Sequence, residues 1–216
     1  LDAVTKQFHS GEGAIQFAPE AIARSNADIL KDDKLRKEFI EIYSEQGKDE
    51  ARNWVNISYG PFSEEELDHR MSRYGLNPCG EILGNDFHCN LAEVHLNQID
   101  PENFEDQKKA FKAAALSVAC LLNHEFEVER YRKSREYDPI VGVSFTGLFD
   151  FCVHAFGTPW LKWWESGRPN SEEGKAFKEK EAKFLDSWRK IVKETVWEYC
   201  DKHNLRRPNR CTTVQP

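Results

Sequence analysis

Between residues 140 and 157 the chain reads IVGVSF, then Thr-Gly, then LFDFCVHAFG, and this switch limits the possible folds more than any other stretch. The β-branched run from Ile140 to Phe145 suits a buried strand, Thr146-Gly147 supplies a turn, and the apolar residues after it suit the start of a helix. A strand that runs straight into a helix is the building block of α/β architecture with parallel strands. Long helical signals lie on both sides. From Phe104 to about Tyr131 the spacing of Phe111, Ala115, Val118, Leu122, Phe126 and Tyr131 predicts one helix, largely covered in its middle, opened by Asp100-Pro101-Glu102. Ser171 to His203 predicts another, carrying Phe177, Phe184, Trp188, Ile191, Val192 and Trp197.

The rest follows the same alternation. A helix is predicted from Pro19, since proline suits a first helical turn, and DDKLRKEFIEIYSEQ predicts a second. The first half of NWVNISYGPF reads as a short strand, while SEEE at 63–66 has the form of a helix-starting box. RCTTVQP at the carboxy end reads as a further strand. With no repeat and no flexible linker, residues 1–216 read as a single α/β segment.

Composition then narrows the function classes. A hydrophobic content of 39% can bury a real core, and a formal charge of −7, from 30 basic and 37 acidic residues, argues against nucleic acid as a partner. The longest apolar run, Ala113 to Leu122, is about half of the roughly 20 residues a bilayer demands, and no targeting pattern opens the chain, so a cytoplasmic location without membrane contact is expected. The cysteines at 79, 89, 120, 152, 200 and 211 lack the density of a disulfide scaffold, which favours reduced thiols.

The chemistry concentrates in RYGLNPCGEILGNDFHCNLAEVHLN, residues 73–97. Pro78, Gly80 and Gly84 break any helix, so Cys79 is expected on a loop, and HCNLAEVHLNQI reads as extended or buried. Four readings stay open on the residues alone. Zinc would need four good ligands, and Cys79, Cys89, His88 and His95 are spaced unlike a compact zinc site, so no metal is assigned. A nucleophilic cysteine would need a histidine base and leaves the second thiol without a purpose. A thiol pair beside a carboxylate suits a redox step coupled to proton transfer, with Cys89 supplying electrons and Glu81 moving a proton. The last reading is two buried cysteines in a glycine-rich loop.

NPCGEI followed by CNLAEV closely resembles the active-site segment of ribonucleotide reductases, in particular the monomeric, adenosylcobalamin-dependent (class II) ribonucleoside-triphosphate reductases. AFKAAALSVACLL, SREYDPIVGVSFTGLFDF and TTVQP are similar to successive pieces of the same family in the same order, so the resemblance covers most of residues 73–216. Before that only GEGAIQFAPEA fits it. The resemblance implies a radical reduction of ribonucleotides to deoxyribonucleotides on a ten-stranded α/β barrel, with the radical cysteine on a loop through its middle. It implies that Cys79 forms a thiyl radical and takes the 3′ hydrogen of the ribose, that Glu81 is the base at the 3′ hydroxyl, and that Asn77 orients the sugar hydroxyls. Cys89 becomes one half of the redox pair that reduces the 2′ carbon. Adenosylcobalamin is the implied cofactor, with no contact residues assignable, and a ribonucleotide and a thioredoxin-type dithiol reductant are the implied partners.

The chain also departs from the family. The second redox cysteine should precede the radical loop, and no cysteine precedes Cys79. Cys120, Cys152, Cys200 and Cys211 match no family role and read as buried structural thiols. The glycine-threonine phosphate loop should follow TTVQP, and the carboxy-terminal cysteine pair that recharges the site has no counterpart. The chain is therefore expected to be an internal piece of the catalytic barrel, from a split gene, an extein or a truncated form, with the flanking segments as partners. Two other readings are a ribonucleotide reductase of another radical class and a noncatalytic structural fragment. Trp160, Trp163 and Trp164 could stack a base, though core or subunit packing accounts for them more simply. His88 and His95 read as core residues, and SEEE and KEKEAK as solvated helix faces.

Overall fold

The computed structural model describes residues 2–11, 16–77, 79–88 and 90–214; among them the chain is mixed α/β, mostly helical with small sheets. It gathers into two compact units, Leu1–Asn85 and Asp86–Pro216.

In the first unit α1 spans Asp2–Ser10, α2 Ala18–Ser25, α3 Asp33–Gln46, α4 Lys48–Tyr59 and α5 Glu64–Met71, followed by a hairpin of β1, Gly75–Leu76, and β2, Leu83–Gly84. Local chemistry sets the helix starts. The Asp32 carboxylate accepts from the Leu35 N–H at 2.9 Å to cap α3, and the Ser63 hydroxyl accepts from the Glu66 N–H at 3.1 Å to cap α5. Ile22, Leu30, Phe39, Val55, Leu67 and Met71 form the core. The strand expected in NWVNIS is instead part of α4. Ala51 and Val55, one helical turn apart, are the buried positions, while the β-branched Ile57 that favoured a strand points to solvent.

In the second unit β3, Leu91–His95, is followed by α6, Phe104–Cys120, α7, Glu129–Tyr137, β4, Gly142–Thr146, α8, Leu148–Glu165, and α9, Glu172–Lys202. Strands β3 and β4 pair in parallel from Leu91↔Gly142 to His95↔Thr146, as the strand-turn-helix reading requires. RCTTVQP contributes one parallel bridge, Thr212 to Val143, with Gln215 and Pro216 outside the described residues. Gly147 makes the turn from β4 into α8. Its φ is +72°, and a Cβ there would lie 2.9 Å from the Asn97 Cβ, so a side chain would be both strained and crowded. The core joins Val94, Leu96, Phe111, Val118, Trp188 and Val192 across the sheet, α6 and α9. The long helix expected through Tyr131 is two pieces. Helix α6 stops at Cys120, a 3-10 turn follows at Leu121–Asn123, and α7 restarts at Glu129. The apolar spacing that seemed to prolong it has a local use: His88 packs on Phe126, ring centres 4.2 Å apart, and edge-on to Tyr131 at 5.3 Å.

The strands among the described residues form two two-stranded sheets, and a ten-stranded barrel is not among them. None of the described helices is long and apolar enough to cross a membrane.

Candidate active site

The register of the hairpin, Gly75 opposite Gly84 and Leu76 opposite Leu83, leaves NPCGEI as its loop. A Cβ on Gly75 would sit 2.8 Å from the Gly84 carbonyl oxygen, so glycine is what lets the two arms approach. Asn77 closes the loop. Its N–H donates to the Ile82 carbonyl at 3.3 Å, and its amide oxygen accepts from the Ile82 N–H at 3.0 Å. Its own carbonyl accepts from the Gly80 N–H at 3.0 Å, which reverses the chain around Cys79, and Gly80 follows with φ +80°. The remaining amide group, Nδ2, donates to Glu81 Oε1 at 2.5 Å, a charge-assisted bond. Glu81 thus has its carboxylate fixed by Asn77, and its second oxygen is buried.

Three of the four residues singled out in the sequence therefore share one loop. Asn77 and Glu81 are hydrogen-bonded to each other, and Cys79 is a free, exposed thiol in the turn between them. Cys89 and Pro78 lie outside the described residues.

The hairpin rests on a buried polar network that the sequence reading missed. Arg70, 1% exposed, holds Asp28 through both guanidinium nitrogens, at 3.1 and 2.8 Å, and Glu66 at 2.9 Å. Burial works against its charge, but hydrogen bonds and charge from Asp28, with further help from Glu66, raise its pKa above the usual arginine range. Arg73, fully buried two residues before β1, donates to Asn26 Oδ1 at 3.1 Å, and its carbonyl accepts from the Ser25 hydroxyl at 2.8 Å. The signal was available as RSNAD at 24–28 and HRMSR at 69–73. Neither run carries a sign of burial by itself, and the fold brings them together.

The other thiols divide. Cys152, Cys200 and Cys211 are buried, as expected of structural cysteines, and burial is the main cause that pushes their pKa values up to about 12, about 11 and about 12. Cys120 is exposed, contrary to expectation, because it ends α6 on the side away from the core. His88 and His95 are also exposed rather than in the core. Groups of three or more His, Cys, Asp or Glu able to hold a metal ion do not occur among the described residues.

Comparison with known proteins gives one curated relative with this geometry in view. The chain is similar to an adenosylcobalamin-dependent ribonucleoside-triphosphate reductase of Lactobacillus gasseri, 30% identical over 172 residues. The match takes in 77% of this chain and 22% of the relative, so the chain spans less than a quarter of that protein's length. The similarity is distant and partial, and it supports the family resemblance in part. No family model matches the chain, and no solved structure matches it.

Proposed function

We propose that this chain is a segment of the catalytic α/β barrel of an adenosylcobalamin-dependent ribonucleotide reductase, which reduces ribonucleoside triphosphates, the substrate class named for its relative, to 2′-deoxyribonucleotides. The observation that carries the reading is the Asn77–Glu81 hydrogen bond at 2.5 Å inside the loop that presents Cys79, because the resemblance gives these three positions one shared task. Asn77 fixes the Glu81 carboxylate, and the same loop turns the Cys79 sulfur outward, where a sugar and a cofactor held by other segments could reach it. Cys79 takes the 3′ hydrogen as a thiyl radical. Glu81 accepts the 3′ hydroxyl proton, a transfer the sulfur radical cannot make, and Asn77 orients the sugar hydroxyls. Cys89 and a second thiol from a flanking segment are oxidised to a disulfide as the 2′ hydroxyl leaves as water and the 2′ carbon gains a hydrogen, and a thioredoxin-type dithiol reduces that disulfide again.

Adenosylcobalamin, when bound, supplies the one-electron chemistry that makes the radical. The exposed Cys79 thiol is accessible to such a group, and the exclusion of water that a thiyl radical needs falls to the flanking segments. The residues that hold the cofactor belong to the proposal only as part of the flanking segments, which complete the barrel in a cytoplasmic enzyme.

The test is deoxynucleotide formation by the complete reductase containing this chain, given a ribonucleoside triphosphate and a dithiol, with and without adenosylcobalamin. Product only with the cofactor is expected. Turnover without it moves the chain to another radical class, and no turnover from a folded, complete enzyme leaves the structural-fragment reading.

A further inference from the structure

In the second unit the aromatic side chains of α8 and α9 border a cavity of about 280 Å³, walled by Phe149, Trp160, Trp164 and Leu185, with Arg168 and Glu181 as its charged members. Natural cores hold few voids larger than a water molecule, whereas small-molecule sites begin at about 300 Å³ and are mostly apolar with a few placed polar groups. A cavity of roughly 150 Å³ is enough for benzene in an engineered case, so this one has room for one or two fused rings.

Its walls are flat. Trp160 and Trp164 stack with centres 5.4 Å apart and planes 26° from parallel, and Phe149 meets both edge-on at 5.3 and 5.6 Å. Phe149, Trp164 and Leu185 are each at least 40% exposed, which opens the cavity to solvent on that side. Cys152 lines it as well, buried and with its thiol held neutral by that burial.

The polar end is built rather than incidental. Glu181 accepts from Trp160 Nε1 at 2.7 Å with one oxygen and from Arg168 at 3.1 Å with the other, so both of its oxygens are engaged. The Arg168 guanidinium carbon lies 4.8 Å from the Trp164 ring centre and 5.2 Å from that of Trp163. A guanidinium has five N–H donors, and among the described residues the Arg168 side chain makes one hydrogen bond, so this cavity-lining residue has donors that the protein does not use. Arg168 has φ +57°, an unusual backbone state for arginine that costs energy and persists where its surroundings fix it.

We propose that this cavity binds a planar aromatic molecule of one or two rings with a carboxylate or carbonyl on its edge. The ring lies against Trp160 and Trp164, and the acceptor takes the remaining N–H groups of Arg168. The site is independent of the Cys79 loop and of the reductase reading.

Titration calorimetry of the full chain with 2-naphthoate tests it, with decalin-2-carboxylate as the non-planar comparator. Saturable binding at one site is expected, about tenfold tighter than for the comparator and weakened about tenfold by Trp164→Ala and by Arg168→Gln. Circular dichroism checks that each variant folds, and Leu185→Trp, made at an exposed position to fill the mouth, serves as an independent block that should also abolish binding. Absence of saturable binding, equal affinity for decalin-2-carboxylate, or undiminished binding by the folded variants overturns the proposal.

Discussion

Asn77 uses its backbone N–H, its carbonyl and both ends of its side-chain amide within the NPCGEI loop, which ties it to Gly80, Glu81 and Ile82. That NPCGEI is a loop was legible from Pro78 and Gly80. The Asn77–Glu81 bond was not, because it depends on the hairpin register that sets Leu76 opposite Leu83. The cysteines show the same division: sequence counts them, while only packing separates exposed Cys79 and Cys120 from buried Cys152, Cys200 and Cys211. Iodoacetamide near pH 8 should therefore modify Cys79 and Cys120 in the folded chain and spare the three buried thiols, as read by peptide mass spectrometry. The pH dependence has a fixed sign. Burial raises these three pKa values from 9.0 to about 12 for Cys152 and Cys211 and about 11 for Cys200, so the protonated thiol is the form the fold favours. Their contribution to stability is complete below pH 9 and is lost as pH rises through about 11 to 12. Labelling of Cys211 in the folded chain near pH 8 would contradict this.

At the scale of elements, the strand-turn-helix at Gly142–Glu165 was legible because three signals agree there: β-branched residues, a glycine, and an apolar run. Where only one signal was present the reading failed. Val55 and Ile57 made NWVNIS look extended, although Ala51 and Val55 share a helix face against the core. Phe126 and Tyr131 continued a helical spacing past Cys120, although they serve an aromatic cluster with His88. The buried Gln107, which accepts from Trp188 Nε1 at 3.0 Å, gave no sign of itself among charged neighbours. Gly147 is the hinge of the best-predicted element. Gly147→Ala should lower stability by about 1–3 kcal/mol in denaturant unfolding, through positive φ and the close approach of Asn97. An unchanged midpoint would show that the turn can relax.

For the whole molecule, the sequence announced a mixed α/β chain and could not announce how few strands the described residues would contain, since long helices and short strands share the same apolar residues. The two units have separate cores, one around Phe39 and Leu67 and one around Phe111 and Trp188, and only tertiary packing sorts those side chains. The match covers 22% of a ribonucleoside-triphosphate reductase, and the proposal places this chain's chemistry in one loop. The central claim is that Cys79 carries that chemistry. Deoxynucleotide formation by the complete reductase, with adenosylcobalamin and a dithiol, measures it directly for wild type, Cys79→Ala and Cys120→Ala, the last being the other exposed thiol of the described residues. Loss of activity by at least about 10³ in Cys79→Ala, with Cys120→Ala close to wild type, is the predicted result; a Cys79→Ala enzyme that turns over like wild type contradicts the account.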